Sequence, residues 1–302
     1  MPILLPAPLQ FESGSGYHPT MAQPWSPRPV ITFLTDFGPD AAAAICRGVM
    51  LDVARDAQII DISHSVRKFA VREAAVLLRW ALPWMPVGIH LAIVDPGVGT
   101  ERKPLALRVG RGDILLGPDN GILMPAAERL GGVAEARLLA NRELMLPAMS
   151  HTFHGRDVFA PMAGHLAAGL PLSSVGPEQD PLSIVDLRLP EPTIEPGALE
   201  TSVTYVDSFG NLRLAGSRAD LVRAIGTVET GRPLTISFLP ADGRADINER
   251  TVWASTFAEV TPGGVLLYED SFGGLACAVN QGDMAARLGL ASEDRVRIVA
   301  AS

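Results

Sequence analysis

This sequence predicts an α/β protein in two parts: an N-terminal α/β domain with a largely parallel central sheet, then a smaller C-terminal all-β, barrel-like domain. Three observations lead there. Apolar strands alternate with helical segments through the first half. Prolines then punctuate a stretch with little helical pattern (Pro171, Pro177, Pro181, Pro190, Pro192, Pro196). Short β-rich pieces separated by Gly and Asp/Asn turns fill the remainder. The expected boundaries are 30–170 for the α/β domain, 171–198 for a semi-rigid Pro-rich linker and 199–302 for the β domain.

Taken in order, Val30-Ile31-Thr32-Phe33-Leu34 opens the first domain as a strand bounded by Thr35-Asp36-Phe37-Gly38. Good helix formers run from Ala41 to Ala54, and Gln58–Ile62 is the second strand. Apolar residues at 70, 74, 77, 78 and 81 have helical spacing, and Gly88–Val94 is the third strand. Near-continuous apolar strands of this kind fit a sheet covered on both faces. Two short strands are expected at 104–109 and 113–116, and a helix at 157–168 whose start Asp157 caps. The β domain is expected to use Glu200–Val206, Leu212–Leu214, Leu234–Phe238, Thr251–Val260, Val265–Tyr268 and Arg295–Val299. No internal repeat is evident.

Bulk properties narrow the function. With 302 residues, 47% hydrophobic and 19% charged, the chain can bury a proper core. A formal net charge of −8 argues against a nucleic-acid partner. No apolar run approaches the roughly 20 residues that span a bilayer, and no secretory signal opens the chain. Residues 1–29, rich in Pro, Ser and Gly, are expected to be a disordered leader, and a cytoplasmic location follows by default. Cys46 and Cys277 stand far apart among apolar neighbours, as buried thiols of a reducing compartment do.

The chemistry-bearing residues lie in loops that follow apolar strands. Asp36 sits beyond the carboxyl end of the first strand, where open α/β sheets collect ligands and where a carboxylate can take ribose hydroxyls. Asp95 ends the most apolar strand; Pro96, Gly97 and Gly99 then force a tight loop, and Arg102 returns a guanidinium seven residues later. His154 precedes the helix at 157–168 and becomes interesting if Asp95 and Arg102 are its neighbours. In the β domain, Asp207-Ser208-Phe209-Gly210-Asn211 and Asp270-Ser271-Phe272-Gly273-Gly274 are turn-like polar clusters, as is Pro118-Asp119-Asn120-Gly121. There is no GxGxxG after the first strand, no HExxH or Cys/His zinc spacing, and no GxSxG elbow. By themselves the residues define a ligand site among loops, with Asp, Arg and His as acid–base candidates and no metal expected.

Seen together, TDFG, DISH, VDPGVGTER, GPDNG, FHGRDVFAP, DSFGN and SFG…AVNQG, in this order and spacing, resemble the adenosine-forming S-adenosyl-L-methionine hydrolases (S-adenosyl-L-methionine hydroxide adenosyltransferases). These are relatives of fluorinase and chlorinase. The resemblance runs from about Ile31 to the C-terminus. It implies cleavage of S-adenosyl-L-methionine by water to adenosine and methionine, no cofactor, and a homotrimer with sites between subunits. It also implies roles: Asp95, Arg102 and His154 activate water, Asp36 holds the ribose hydroxyls, Asp207 and Asn211 take the methionine amine and the adenine edge, and Ser271 meets the methionine carboxylate. Halogenase relatives carry a Tyr-Pro-Ala-Thr type loop where this chain has Asp95-Pro96-Gly97-Val98, so the aspartate favours water as the nucleophile. The alternatives are a halogenase-type relative forming 5′-halo-adenosine and a non-catalytic S-adenosyl-L-methionine binding protein. The latter has no need of Asp95, Arg102 and His154.

Overall fold

A computed structural model describes residues 28–301. The leader expected over residues 1–29 lies outside the described residues except for its last two. From Val30 the chain alternates strand and helix: β1 (Val30–Thr35), α1 (Ala41–Val53), β2 (Gln58–Ser63), α2 (Val71–Ala81) and β3 (Ile89–Ile93). Then follow β4 (Pro104–Val109), β5 (Ile114–Pro118), α3 (Met124–Arg129), β6 (Val133–Leu138) and α4 (Ala160–Ala167). The sheet order is β2-β1-β3-β5-β4-β6, with β2, β1, β3 and β5 parallel and β4 antiparallel to both its neighbours.

Both faces of this sheet are covered, which is why its strands carry apolar residues on both sides. Cys46 and Met50 of α1 and Met162 and Ala163 of α4 pack with Ile31, Phe33 and Leu91 on one face. Ala74 and Leu78 of α2 and Ala126 of α3 pack with Leu34, Leu105 and Leu115 on the other. The chain leaves β1 towards β2 and later crosses to β3 on the opposite side, so the strand order reverses between β1 and β3. Asp36 and Asp95 follow these two strands. A crevice at such a reversal is where open α/β sheets bind ligands.

Two elements here went unread in the sequence. Helix α3 is a single short run with Pro125 in its first turn, and β6 is a polar-patterned edge strand; neither has a long apolar signal. The helix expected at 157–168 begins differently. A π-type turn, Gly155–Phe159, leads into α4, and Asp157 sits inside it instead of capping a helix. The Asp157 carboxylate is fully buried; it pairs with Arg156 (2.5 and 3.0 Å) and accepts the Ser150 N–H at 2.7 Å.

The stretch 171–198 is fastened along its length. Leu138 N–H donates to Pro177 O, Gln179 N–H to Ala136 O, and Val185 N–H to the Asp119 carboxylate, while Ile184 is buried among side chains of the sheet and α2. Near its end β7 (Thr193–Glu195) pairs with β8 (Ala198–Val206). The second domain continues with β9 (Leu212–Leu214), α5 (Arg218–Ile225), β10 (Pro233–Leu239), β11 (Ile247–Trp253), β12 (Val265–Glu269), β13 (Leu275–Val279), α6 (Met284–Leu288) and β14 (Arg295–Ala300). Pairing of β14 with both β10 and β8 closes the ring β8-β14-β10-β11-β12-β13-β9, a seven-stranded barrel. Leu234, Ile236, Phe238, Leu267, Val296 and Ile298 fill it.

The strand expected at Thr251–Val260 is displaced: β11 runs Ile247–Trp253, and a helical turn at Phe257–Glu259 follows. Residues 247–250 alternate between exposed and half-exposed positions, a polar ladder whose weak apolar signal concealed the strand. Both cysteines are buried and free; burial pushes the Cys46 thiol up to about 12 and raises that of Cys277 further. Among the described residues no helix is long and apolar enough to cross a membrane.

Candidate active site

Three loops of the first domain converge at the switch point. The loop after β3 is held by Asn120, whose Nδ2 donates to Val94 O at 2.8 Å, and by Thr100, whose hydroxyl donates to Gly97 O at 2.7 Å. Gly99 has φ +80° and lies so close to the 150–154 loop that a Cβ would come within 2.7 Å of His151 O. A side chain there would push the two loops apart. Their approach places His154, at the head of the π-type turn, beside Arg102.

Arg102 bridges the other two members. Its Nε donates to both oxygens of Asp95 at 2.9 Å, and Nη2 bonds Oδ2 of the same carboxylate. Nη2 also lies 3.2 Å from His154 Nδ1. The guanidinium carbon stands 5.3 Å from the centre of the Phe159 ring, and the Asp95 and Arg102 side chains are only 7% and 10% exposed. So poor a supply of water makes each charge depend on its partner.

A guanidinium can only donate, so His154 Nδ1 must accept. The neutral ring therefore carries its hydrogen on Nε2. The imidazole is also harder to protonate than usual. Burial is the main cause and the Arg102 charge the second, partly offset by Asp95 and Asp157.

Asp36 lies on the adjoining loop after β1. The Phe37 ring meets Phe153 edge-on at 5.8 Å and lies against Gly155, tying the loop after β1 to the loop before α4. Asp36 Oδ2 accepts the backbone N–H of Phe69 at 2.9 Å, and among the described residues Oδ1 has no hydrogen-bond partner. Phe69 itself is 68% exposed with φ +68°. Such a conformation in a bulky residue is an outlier that points to a site. Phe69 also lines a cavity of about 440 Å³ at the seam of the two domains, with Arg67, Glu73, Thr204 and Ser292. Sequence reading missed Phe69, and nothing in its neighbours announces a positive φ. It treated Asn120 as a turn residue, although an Asn two residues beyond a strand end was a usable signal.

The remaining candidates lie on the barrel. Asp207 Oδ1 accepts the N–H groups of Phe209 and Asn211, and Oδ2 accepts the Asn211 amide at 2.9 Å; Asn211 is buried. Ser271 is exposed on a second turn of the same build, where Asp270 Oδ1 accepts the N–H groups of Phe272 and Gly274. Asp-Ser-Phe-Gly thus occurs twice, at 207–210 and 270–273, with identical turn hydrogen bonds and Gly φ of +77° and +80°. The repeated unit is only four residues long, too short to stand out as an internal repeat of the chain. Among the described residues, no hydrogen bond or ion pair joins Asp207, Asn211 or Ser271 to Asp36, Asp95, Arg102 or His154 of the same chain. The 270–274 turn is instead held to α2 by Phe272, which stacks on Trp80 at 5.6 Å, while Arg213 pairs with Asp270 and covers both rings.

Fold and site together define a class: an acid–base cluster at the switch point of an α/β domain, carried on one chain with a closed β-barrel. Comparison with known proteins makes this specific. Models of the SAM hydroxide adenosyltransferase family match residues 31–176 as its N-terminal domain and 201–297 as its C-terminal domain. The chain belongs to this family. It is 42% identical to a protein of Salinispora tropica named (R)-S-adenosyl-L-methionine hydrolase, over 91% of this chain and 99% of that one. A protein of an Actinoplanes species named fluorinase is 30% identical, over 87% and 94%. Among solved structures, an uncharacterized conserved protein from Thermotoga maritima superimposes with a TM-score of 0.80 at 36% identity, covering 89% of this chain and 99% of that one.

Proposed function

We propose that this protein cleaves S-adenosyl-L-methionine with water at the ribose 5′ carbon, giving adenosine and L-methionine. The observation that carries the reading is the Arg102 guanidinium shared between Asp95 and His154. Methionine leaves from a sulfonium as a neutral thioether, so no acid has to protonate it and no cofactor is needed. The difficulty is the nucleophile, since bulk water has a pKa near ~15.7.

The tautomer imposed by Arg102 divides the work. His154 offers Nε2–H as a donor that orients the water, and Asp95 keeps a carboxylate lone pair to accept its proton. Arg102 holds both in place and compensates charge as hydroxide character develops. Attack by an anion on a cation cancels charge, which a water-poor site favours. Asp36, with Oδ1 free, takes the ribose hydroxyls. Asp207, Asn211 and Ser271 complete the site from the barrel of a neighbouring subunit in a homotrimer. Within one chain the 270–274 turn is engaged on α2 through Phe272 and Trp80, which supports that arrangement.

Incubation with S-adenosyl-L-methionine followed by chromatography is expected to give adenosine and methionine in equal amounts. S-adenosyl-homocysteine as the main product would refute hydrolysis. Mainly 5′-halo-adenosine in chloride or fluoride would establish the halogenase alternative, and binding without turnover the non-catalytic one. Mixed Asp36→Ala and Asp207→Ala subunits are expected to regain activity that neither has alone; full activity in a monomer by light scattering would overturn the shared site.

The acid limb of kcat is expected below pH 6.5, because His154 is held below its ordinary value of about 6.5. Protonation would put a hydrogen on Nδ1, facing the Arg102 donor. Stability follows the same sign: the unfolded chain binds the proton first, so the contribution of His154 is present above about pH 6.5 and lost as pH falls through the lower folded value. A pH–rate profile checks this. A limb centred above 6.5, or one unchanged in His154→Gln, would contradict the assignment.

A further inference from the structure

We propose that His64, in the DISH motif, is a positioning residue that sets the loop bearing Asp36, and so governs recognition of the ribose hydroxyls. The inference rests on the reading of Asp36 as the ribose ligand. His64 holds that loop at two points. Its backbone carbonyl accepts the Gly38 N–H at 2.7 Å, where Gly38 has φ +71°, and its ring Nδ1 lies 2.8 Å from the Thr35 hydroxyl. Thr35 is fully buried, so its hydroxyl has no water to turn to.

The direction of each bond can be assigned. Thr35 Oγ1 accepts the Phe37 N–H at 3.2 Å, closing a turn around Asp36. Among the described residues its single hydrogen has no other acceptor and goes to His64 Nδ1, and the Asp61 carboxylate near Nε2 favours the ring hydrogen there. The ring hydrogen therefore sits on Nε2, a buried atom without a hydrogen-bond partner. Asp61 Oδ1 stands 3.1 Å from Nε2 but outside hydrogen-bond geometry, so that contact is electrostatic. Asp61 is in turn paired with Arg47 of α1.

Packing fixes the ring itself. Phe33 meets it edge-on at 4.8 Å, and the register of β1 against β2 shifts between Phe33 and Leu34, opposite Asp61 and Ser63. The strand end that delivers Asp36 is thus irregular, and a side chain just beyond the end of β2 replaces the ladder that would otherwise hold it. Asp36 keeps one contact of its own, to Phe69 N–H. Without the His64 ring, the loop retains that contact and the Gly38 N–H bond to the residue-64 carbonyl, and loses its anchor at Thr35.

The test compares His64→Ala, His64→Asn and His64→Gln with the native enzyme and Asp36→Asn. Substrates are S-adenosyl-L-methionine and its analogue lacking both ribose hydroxyls. The native enzyme is expected to lose at least about tenfold in kcat/KM on the analogue, and Asp36→Asn to lose most of that discrimination. His64→Ala is expected to raise KM for the natural substrate about tenfold, with kcat within about threefold, and to discriminate as poorly as Asp36→Asn. His64→Asn, whose amide oxygen can take the place of Nδ1, should recover most of the discrimination, and His64→Gln should not. Should His64→Ala fail to fold, the contrast between the Asn and Gln variants decides. Native discrimination in His64→Ala, or equal behaviour of the Asn and Gln variants, would overturn the proposal. If Asp36→Asn still discriminates like the native enzyme, the ribose reading of Asp36 falls and the role of His64 falls with it.

Discussion

Replacing Asp95 by alanine is expected to lower kcat by about 10²–10⁴-fold while the affinity for S-adenosyl-L-methionine changes less than about threefold. The magnitude is that of losing a positioned base, because the bond to be made is between carbon and a water-derived oxygen. On the proposed reading Asp95 takes that proton, since His154 Nδ1 is occupied by the guanidinium. On the proposed reading Asp95 serves the water and not the nucleoside, so binding is spared. Alanine also strips Arg102 of three of its contacts in a half-dry pocket, so Asp95→Asn is the better-behaved companion. It keeps an oxygen for the guanidinium yet lacks the basicity. Single-turnover rates beside calorimetric affinities decide the matter. Should either variant hydrolyse the substrate at the native rate, the Asp95–Arg102 pair is only a staple for its loop.

The largest loss of stability is expected from Asp113→Ala, about 3–5 kcal/mol, with catalysis per folded molecule unchanged. Asp113 precedes β5 at the amino edge of the sheet, away from the loops that carry Asp36 and Asp95. Its carboxylate is fully buried and receives four donors: His90 at 2.8 Å, two from Arg111 at 2.7 and 2.8 Å, and the Gly88 N–H at 3.3 Å. Burial alone would raise its pKa, but the bonds from His90 and Arg111 prevail and hold it well below the usual carboxylate range. The truncation leaves His90, itself fully buried, with Thr32 as its one remaining partner. Stability from Asp113 is present above the ordinary carboxylate value and declines as pH falls towards the lower folded one. Urea titrations at pH 7 and pH 3 measure both effects. A variant within 1 kcal/mol of native at pH 7 would show that the network is dispensable.

These two aspartates differ in how visible they are in the chain. Asp95 stands at the end of an apolar strand, before Pro and Gly, in a motif that several loops corroborate. Asp113 sits in an ordinary Arg-Gly-Asp turn, and its partner His90 interrupts an apolar strand without any local sign of being satisfied. Local pattern reports what a residue's own segment needs. A buried bond to a residue on another strand leaves no mark on that pattern. A different reason applies to α3, β6 and the start of β11: their short or polar segments carry no long apolar signal.

The alternation of strands and helices, the shift to β-rich pieces beyond the proline-rich stretch and the loops bearing Asp36, Asp95, Arg102 and His154 were all determined by the sequence itself. Each depends on hydrophobic period, on proline and glycine, or on short motifs within one segment. Only the tertiary structure decided that Arg102 stands between Asp95 and His154. It also decided that His154 must carry its hydrogen on Nε2, that Phe69 with a positive φ supports Asp36, and that β8 and β14 meet to close the barrel. Those facts depend on contacts between residues 33 to 101 positions apart, made when one rigid sheet edge and one closed ring bring loops together. The geometry of such contacts is set by packing in three dimensions, which no stretch of the chain encodes alone.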